Sequence, residues 1–446
     1  MYSELYKHYF EDEDNDAGEA SGINEEDSSV FDVCQQQVSG SLPLAVVYVH
    51  SANHVFECSR LPRVRGRSLL VHGLIRAYGL LPQLRIVHPR PASDTELKSF
   101  HSEDYINFLQ SCESSKDLEL EEEKAKEYNL VDDCPLVKSL YTIIRYIAGG
   151  TLTAARALIT GTSAIAIHWE GGWHHGQRSE AAGFCYVNDV VLGIQELCQH
   201  FGRVLYVDLD VHHGDGVQEA FCATDRVLTL SFHNHETGFY PGTGSLEELG
   251  YGRGKGYCLN VPLQSGIGND AFVSVAKKVL DAVLSHYQPD VIVCQCGVDG
   301  LSGDPLGAFN LTQSAFVECL QLLMSKCIPL LVLGGGGYVP ENAARCWTQL
   351  TATLVGKTLE DDVPEHKFLL KYGPSYELKI SPGLRQDCNA TEYLERVTKT
   401  VLDRLDMISS PEQRTQNCAL ESPSDVWTGL RSKTAPDLKD GLPHCP

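Results

Sequence analysis

The chain has 446 residues, 43% of them hydrophobic, and a formal net charge of -23 at pH 7. This length accommodates one large α/β domain or two to three smaller ones, and the apolar content predicts a globular protein with a substantial core. The acidity disfavours direct binding of nucleic acid, because that affinity comes mainly from lysine and arginine. The negative charge favours cationic partners such as lysine-rich segments. Solubility of the protein explains the same charge equally well.

The first residues, Met1 to Lys7, contain no basic segment followed by an apolar one, so no secretory signal is expected. The longest apolar run, 147–167, is interrupted by Arg156 and several threonines, and it predicts a packed helix and a strand rather than a membrane span. The 16 cysteines include no Cys-x-x-Cys pair. They indicate free thiols in a reducing compartment, and we expect an intracellular protein.

Composition divides the chain into three parts. Residues 1–43 have few apolar side chains and carry acidic clusters at 11–14 and 25–27, which predicts a disordered acidic extension. Residues 44–405 are predicted to form one folded domain, and the fold is expected to begin at the apolar run 45–49. The charged segment 114–127 interrupts it as a solvated loop or helix. Residues 406–446 are rich in serine, proline and charge and are predicted to be a disordered tail.

Within the domain, short apolar runs alternate with helical patterns. Strands are predicted at 164–167, 204–207, 227–230, 291–294 and 330–333, and helices at 137–160, 186–200, 270–286, 312–325 and 341–354. This alternation predicts an α/β fold with a mainly parallel sheet and helices on both faces. Polar or glycine-rich segments follow the five strands, at 173–175, 208–215, 231–233, 297–299 and 334–338. Ligands bind outside the carboxyl ends of such strands, so all five segments are predicted to line one site.

The segment 204–216 contains the side chains that are most informative about function, because they are candidate metal ligands at the end of an apolar strand. Strand alternation places Asp208 and Asp210 on one face, with His212 just beyond them. Asp299 follows another apolar strand. Two carboxylates and one imidazole, from Asp210, His212 and Asp299, suit a divalent metal with a side open for water. An ion pair or turn cap is the alternative for the first segment, and a helix cap is an equal alternative for Asp299.

Two further segments supply candidate catalytic groups. His174 and His175 lie in a glycine-rich loop, and Asp208 and Asp215 are available to fix the tautomers of both rings. Four glycines precede Tyr338, so that backbone lies close to a ligand while the phenol presents a donor. A phosphate-binding loop would need a Gly-Lys-Ser/Thr sequence directly after the glycines, and the four glycines are followed by Tyr338 instead. Together these groups predict metal-assisted hydrolysis of a carbonyl compound, with the phenol as oxyanion donor.

Five ordered motifs closely resemble those of the zinc-dependent class I histone deacetylases, over roughly residues 44–385. They are Gly-Gly-Trp-His-His at 171–175, Glu-Ala-Ala-Gly-Phe-Cys-Tyr-Val-Asn-Asp at 180–189, Tyr-Val-Asp-Leu-Asp-Val-His-His-Gly-Asp at 206–215, Pro-Gly-Thr-Gly at 241–244 and Gly-Gly-Gly-Gly-Tyr at 334–338. Within class I, the segments 303–305 and 372–378 are most similar to the histone deacetylase 8 subfamily.

The resemblance implies a single-domain arginase/deacetylase fold and hydrolysis of ε-N-acetyl-lysine in histone tails and other proteins. It implies a chromatin regulator that represses transcription, without direct nucleic-acid or membrane binding; co-repressor partners are not identified. The implied zinc ligands are Asp210, His212 and Asp299, and Fe2+ suits the same set. His175 is implied as general base and later acid, His174 as its electrostatic partner, and Tyr338 as the phenol that polarises the carbonyl.

The resemblance also implies a rim, a tunnel and two potassium sites. Asp133 would orient the substrate backbone at the rim, and the acyl-lysine tunnel would involve Gly183, Phe184, Tyr240 and Leu306. One potassium ion would be bound by Asp208, Asp210, His212, Ser231 and Phe232, and the other by carbonyls of Phe221, Thr224, Val227 and Tyr257. Asp208 and Asp215 would support the histidines.

The chain departs from the family pattern at a few positions. Tyr240 stands where the second tunnel wall is normally phenylalanine, which predicts an altered acyl-chain preference. Asp132 replaces an expected tyrosine beside the rim acid, and His168 and Glu170 replace the usual residues on either side of Trp169. These departures leave peptide selectivity open.

Other functions use part of the same pattern. Deacetylation of acetylated polyamines shares the metal chemistry and differs at the rim, where Asp133 favours a peptide. An arginase-like binuclear manganese enzyme would need further bridging ligands. A silent acyl-lysine reader would not need Tyr338, His174 and His175 together.

Overall fold

The computed structural model describes residues 45–114, 122–406 and 408. The predicted disordered extension at 1–43 and the predicted tail, apart from residues 406 and 408, lie outside these described residues.

The centre of the fold is one eight-stranded sheet in which all paired strands are parallel. The strand order is β2-β1-β3-β8-β7-β4-β5-β6. In chain order the strands are β1 (Val46–Val49), β2 (Leu84–Val87), β3 (Ile165–His168), β4 (Val204–Asp208), β5 (Val227–Asn234), β6 (Cys258–Leu263), β7 (Val291–Gln295) and β8 (Leu330–Leu333).

Helices connect the strands and cover the sheet. They are α1 (Ala52–Cys58), α2 (Arg67–Ala77), α3 (Asp94–Leu97), α4 (Glu103–Ser114), α5 (Glu122–Glu127), α6 (Leu140–Ile159), α7 (Asp189–Cys198), α8 (Asp215–Phe221), α9 (Asn269–Tyr287), α10 (Gln313–Ser325), α11 (Pro340–Leu354) and α12 (Thr391–Leu405). Short 3-10 turns lie at Pro62–Val64, Leu81–Gln83, Gly252–Gly254 and Leu369–Tyr372.

Both faces of the sheet are buried. Along β4, Leu205 and Val207 belong to one apolar cluster, whereas Val204 and Tyr206 belong to another on the opposite face. The first cluster includes side chains of α2, α9, α10, α11 and α12, and the second includes those of α6 and α7. Such two-sided burial explains why the strands are continuous apolar runs rather than alternating ones. The sheet and its helices confirm the predicted α/β fold.

The topology brings the predicted functional segments to one edge. The five strands that precede those segments, β3, β8, β7, β4 and β5, are consecutive neighbours in the sheet. Because they are parallel, their carboxyl ends meet along the same edge. Within the described part of the chain, no helix is both long enough and apolar enough to cross a bilayer.

Candidate active site

Three of the predicted ligands converge beyond the ends of β4 and β7. We call Asp210, His212 and Asp299 the strand-end cluster; all three are buried, and one ligand atom of each lies within 4.8 Å of the others. The Nδ1 atom of His212 is 3.1 Å from an Asp210 oxygen and 2.9 Å from an Asp299 oxygen. The sequence prediction that these residues lie together therefore agrees with their placement.

Backbone and amide groups fix the two carboxylates. The Oδ2 atom of Asp210 accepts hydrogen bonds from the Gln295 side chain at 2.9 Å and from the Gly336 N–H at 2.8 Å. A Cβ atom at Gly336 would lie 2.0 Å from the Asp299 carboxylate, and one at Gly297 would lie 2.0 Å from that of Asp210. Only glycine leaves room for the carboxylates at these two positions.

The buried negative charges of the strand-end cluster favour binding of a cation. Burial, followed by the charge of Asp210, raises the pKa of Asp299 to about 7. Burial lowers the pKa of His212, but Asp299 and Asp210 outweigh it and raise that pKa to about 10. The two buried carboxylates therefore stabilise a positive charge that lies between them. A divalent ion with one nitrogen and two oxygen ligands meets that demand, and the donor set fits zinc or ferrous iron.

The adjacent histidines form two histidine–carboxylate pairs. The Nδ1 atom of His174 is 2.8 Å from Asp208, and that of His175 is 2.7 Å from Asp215. The two rings lie 4.0 Å apart between centroids. Each carboxylate fixes its histidine in one tautomer, with Nδ1 protonated.

The two histidines nevertheless differ in charge. Burial lowers the pKa of His174, but the carboxylates of Asp208, Asp210 and Asp215 outweigh it and raise the pKa to about 9. Burial and the neighbouring His174 lower the pKa of His175 to about 4, against the opposing effect of Asp215. At neutral pH, His174 is therefore an imidazolium ion and His175 is a neutral base.

Two residues at the start of α7 hold the histidine loop. The Asn188 side chain donates to the carbonyls of His174 at 3.2 Å and Gly176 at 3.0 Å. The Asp189 carboxylate accepts the N–H groups of Gly172 at 3.0 Å and Trp173 at 2.9 Å. Sequence reasoning assigned no role to either residue. The Asn-Asp pair at a helix start was the available signal, because such side chains cap backbone N–H groups.

Tyr338, at the end of the glycine-rich loop, lies close to the strand-end cluster. Burial, then the charges of Asp299 and Asp210, raise the pKa of Tyr338 well above its usual value, so the phenol remains a donor. Its backbone N–H donates to Asp304 at 2.7 Å. Arg67 of α2 fixes the loop by donating to the carbonyls at Gly335 and Gly337, at 2.9 and 3.0 Å. Nothing in the local sequence around Arg67 indicated this role.

Aromatic side chains line the approach to the cluster. The Phe184 ring is edge-on to Tyr338, with centroids 5.5 Å apart. The Tyr240 ring is edge-on to His175 at 5.0 Å, and its hydroxyl lies 2.8 Å from where a Cβ atom of Gly183 would be. Tyr240 and Leu306 are 42% and 40% exposed, so both lie at the mouth of the site.

The predicted rim residue Asp133 is exposed and makes an ion pair that the sequence did not indicate. Its carboxylate accepts a hydrogen bond from Arg63 at 3.0 Å. The Arg63 guanidinium lies 4.7 Å from the centroid of the Phe184 ring, which joins the rim acid to the tunnel wall. Asp132 is also exposed and has a left-handed backbone, with φ of 40°.

The predicted potassium ligands lie in two places along β5. Ser231 pairs with Asp208 across β4 and β5, next to Asp210 and His212, and Phe232 follows it. At the other end, Phe221 ends α8, Thr224 follows it and Val227 begins β5. The Phe221 and Tyr257 carbonyls each accept one backbone hydrogen bond, from Thr224 at 3.1 Å and Thr229 at 2.9 Å. A second lone pair remains on each oxygen.

Comparisons with known proteins relate this geometry to a family. Residues 61–354 match the family described as "Histone deacetylase domain". Over 369 residues the chain is 42% identical to histone deacetylase 8 of Xenopus tropicalis, which covers 82% of this chain and 99% of that protein. It is 43% identical over 361 residues to histone deacetylase 8 of Danio rerio, covering 81% and 95%. Histone deacetylase 19 of Arabidopsis thaliana is 43% identical over 341 residues, covering 76% and 67%.

Proposed function

The chain belongs to the histone deacetylase family, in class I and most like histone deacetylase 8, and we propose that it removes acetyl groups from ε-N-acetyl-lysine in histones and other proteins. The family makes it an amide hydrolase that acts on acetyl-lysine. The observation that carries the proposed mechanism is the presence of two adjacent histidine–carboxylate pairs beside the strand-end cluster, in which one histidine is charged and the other is neutral.

Asp210, His212 and Asp299 would hold Zn2+, with Fe2+ as the alternative ion, and the bound ion would supply Lewis-acid chemistry to the substrate carbonyl. The neutral His175 ring would accept a proton from the attacking water at Nε2, because Asp215 occupies Nδ1. His175 would then deliver that proton to the departing lysine nitrogen. The adjacent imidazolium of His174 would stabilise negative charge as it develops.

Tyr338 would donate its phenolic hydrogen to the carbonyl oxygen of the acetyl group. Its raised pKa keeps the hydrogen on the phenol at neutral pH. A donor aimed at the oxygen where charge develops stabilises the transition state more than the ground state. The phenol is therefore the chain's own contribution to oxyanion stabilisation.

The approach suits an acetylated lysine side chain. Phe184 and Tyr240 present aromatic walls, with Gly183 and Leu306 beside them, and an apolar passage favours a lysine whose charge acetylation has removed. Asp133 at the rim would accept backbone N–H groups of a peptide. The set that contains Ser231 would bind K+ beside the strand end that carries Asp208 and Asp210, and the other set would bind K+ where β5 begins.

We further propose that the protein acts in the nucleus and cytoplasm as a chromatin regulator that represses transcription. Acetylated histone tails and other acetylated proteins are its proposed partners. The formal charge of -23 suits lysine-rich tails and disfavours direct binding of the nucleic acid beside them.

The decisive experiment measures acetate release from an acetyl-lysine peptide by metal-reconstituted protein, with Asp210→Asn as the control. We expect acetate release by the parent protein and its loss in the variant. Acetylspermidine is offered in parallel, and preference for it would replace the protein substrate by a polyamine. A folded, metal-loaded parent protein that releases acetate from neither substrate would contradict hydrolysis and favour an acyl-lysine reader.

A further inference from the structure

A second set of metal-ligand side chains lies behind the histidine loop. We call His54, His168 and Glu170 the histidine–glutamate cluster; His54 belongs to α1, His168 ends β3, and Glu170 follows two residues later. Their exposed fractions are 0%, 0% and 5%. One ligand atom from each lies within 4.8 Å of the others. The site described above uses none of these residues.

The spacing of the donor atoms fits a tetrahedral ion. The Nε2 atoms of His54 and His168 are 3.1 Å apart, and Nε2 of His168 is 4.0 Å from Oε2 of Glu170. Nitrogen and oxygen ligands lie about 2.0–2.2 Å from tetrahedral zinc, so neighbouring donors around it are separated by roughly 3.4 Å. The two separations therefore differ from this spacing by roughly 0.3 and 0.6 Å.

Two buried polar atoms in this cluster lack hydrogen-bond partners. They are Oε2 of Glu170 and Nδ1 of His54, which face each other at 3.9 Å. A buried carboxylate oxygen without a partner is costly. A bound cation would remove that cost.

Neighbouring groups orient His168 as they would a metal ligand. The Thr151 hydroxyl donates to Asp189 at 2.5 Å, so its oxygen accepts the Nδ1 hydrogen of His168 at 2.9 Å. This bond leaves the lone pair of His168 on Nε2, directed into the cluster. Metal-bound histidines are commonly fixed through their other ring nitrogen in this way.

Glu170 is oriented from its other oxygen. Oε1 accepts hydrogen bonds from the hydroxyl of Ser68 and from Nε2 of His72, both at 2.5 Å. The second nitrogen of His72 is occupied by the hydroxyl of Tyr48. All the donors therefore approach Oε1, and Oε2 is left facing His54 and His168.

A small pocket adjoins the cluster at Glu170. It is lined by Ser68 and Glu170, together with Cys58, Arg67 and Trp173.

We propose that the histidine–glutamate cluster is a second metal site for a divalent transition ion of the zinc class, separate from the strand-end cluster. The ion would join α1 to the end of β3 and, through Glu170 and His72, to α2. It would thereby brace the strand that leads directly into the loop of His174 and His175. This inference concerns binding alone and does not rest on the proposed deacetylation.

The test counts zinc by inductively coupled plasma mass spectrometry after reconstitution of the full chain and removal of loosely bound metal. We expect two ions per chain in the parent protein and one in His168→Asn. His212→Ala, which removes the nitrogen ligand of the strand-end cluster, should retain one ion. His101→Asn is the matched control, because His101 is equally buried outside both clusters and should leave two ions bound.

A second variant guards against misfolding. Glu170→Gln keeps the size of the side chain but removes its charge, and we expect it to lose the same ion while near-ultraviolet circular dichroism stays unchanged. One ion in the parent protein, in His168→Asn and in Glu170→Gln, with none in His212→Ala, would overturn the second site. Two ions without acetate release would instead contradict the proposed function and leave this site standing.

Discussion

The strand-end cluster and the histidine–glutamate cluster have similar donors in different surroundings. The first has two carboxylates and one imidazole, whereas the second has two imidazoles and one carboxylate. The first lies beside Tyr240, which is 42% exposed, and beside two histidine–carboxylate pairs. The second is enclosed by groups that only hold its ligands, such as Thr151 and Ser68. Donor type alone therefore does not distinguish a reactive metal site from a structural one.

The two clusters are also physically connected. Asp189 accepts the Thr151 hydroxyl on one side and the backbone of Gly172 and Trp173 on the other. Thr151 in turn holds His168, and the loop after Trp173 carries His174 and His175. We infer that the strand-end cluster provides the chemistry and that the other cluster fixes the backbone beneath it. The predictions that follow test this division.

The largest expected effect is that of Tyr338→Phe on turnover. The variant loses the hydroxyl that would polarise the acetyl carbonyl, and loss of one oxyanion donor typically lowers kcat by about 10²–10³. Acetate release under saturating peptide measures the effect. Metal content and thermal unfolding should match the parent protein, since the Tyr338 backbone N–H still donates to Asp304. Activity comparable to that of the parent would remove the phenol from the mechanism.

Thr151→Val tests the connection between the clusters. Valine keeps the shape of threonine but leaves His168 Nδ1 and Asp189 Oδ2 without the shared hydroxyl, and a buried polar group left unpaired costs about 1–3 kcal/mol. We expect the free energy of unfolding, measured in urea, to fall by about this amount. Thr153→Val on the same helix is the control, because its hydroxyl only contacts the Gly149 carbonyl within the helix. Equal losses in both variants would show that Thr151 does not connect the two clusters.

The two clusters differ most in how far the sequence reveals them. Asp210 and His212 are two residues apart at the end of an apolar strand, and Asp299 follows another strand, so the pattern alone predicts their meeting. His54 and His72 are isolated on separate helices, and the contact of His54 with Glu170 joins positions 116 residues apart (170 − 54 = 116). The sequence shows that His168 and Glu170 differ from the usual residues of the family. It does not show that His54 and His72 lie beside them, because those contacts depend on how α1 and α2 pack.

The strands of the sheet also differ in how well their local sequence predicts them. The five central strands were predicted because each is a buried apolar run. β2 and β6 were missed, and they are the two edges of the sheet. Two residues of β2 are exposed, and β6 contains Pro262, which is unfavourable inside a sheet but tolerated at an edge. The weak pattern of β2 therefore comes from its exposed residues, whereas β6 is buried along its whole length and its apolar run is interrupted by Asn260 and Pro262.

The smallest expected effect concerns the mouth of the strand-end cluster, where Tyr240 replaces the usual phenylalanine. The hydroxyl lies close to Gly183 and the ring contacts His175, so Tyr240→Phe removes a polar group from an otherwise apolar passage. A single neutral hydrogen-bonding group contributes about 0.5–1.5 kcal/mol, which corresponds to roughly a two- to tenfold change. We expect the ratio of butyryl to acetyl hydrolysis to rise within that range, measured on one peptide with both acyl groups. An unchanged ratio would show that selectivity is decided elsewhere, with the Arg63–Asp133 pair at the rim as the next residues to vary.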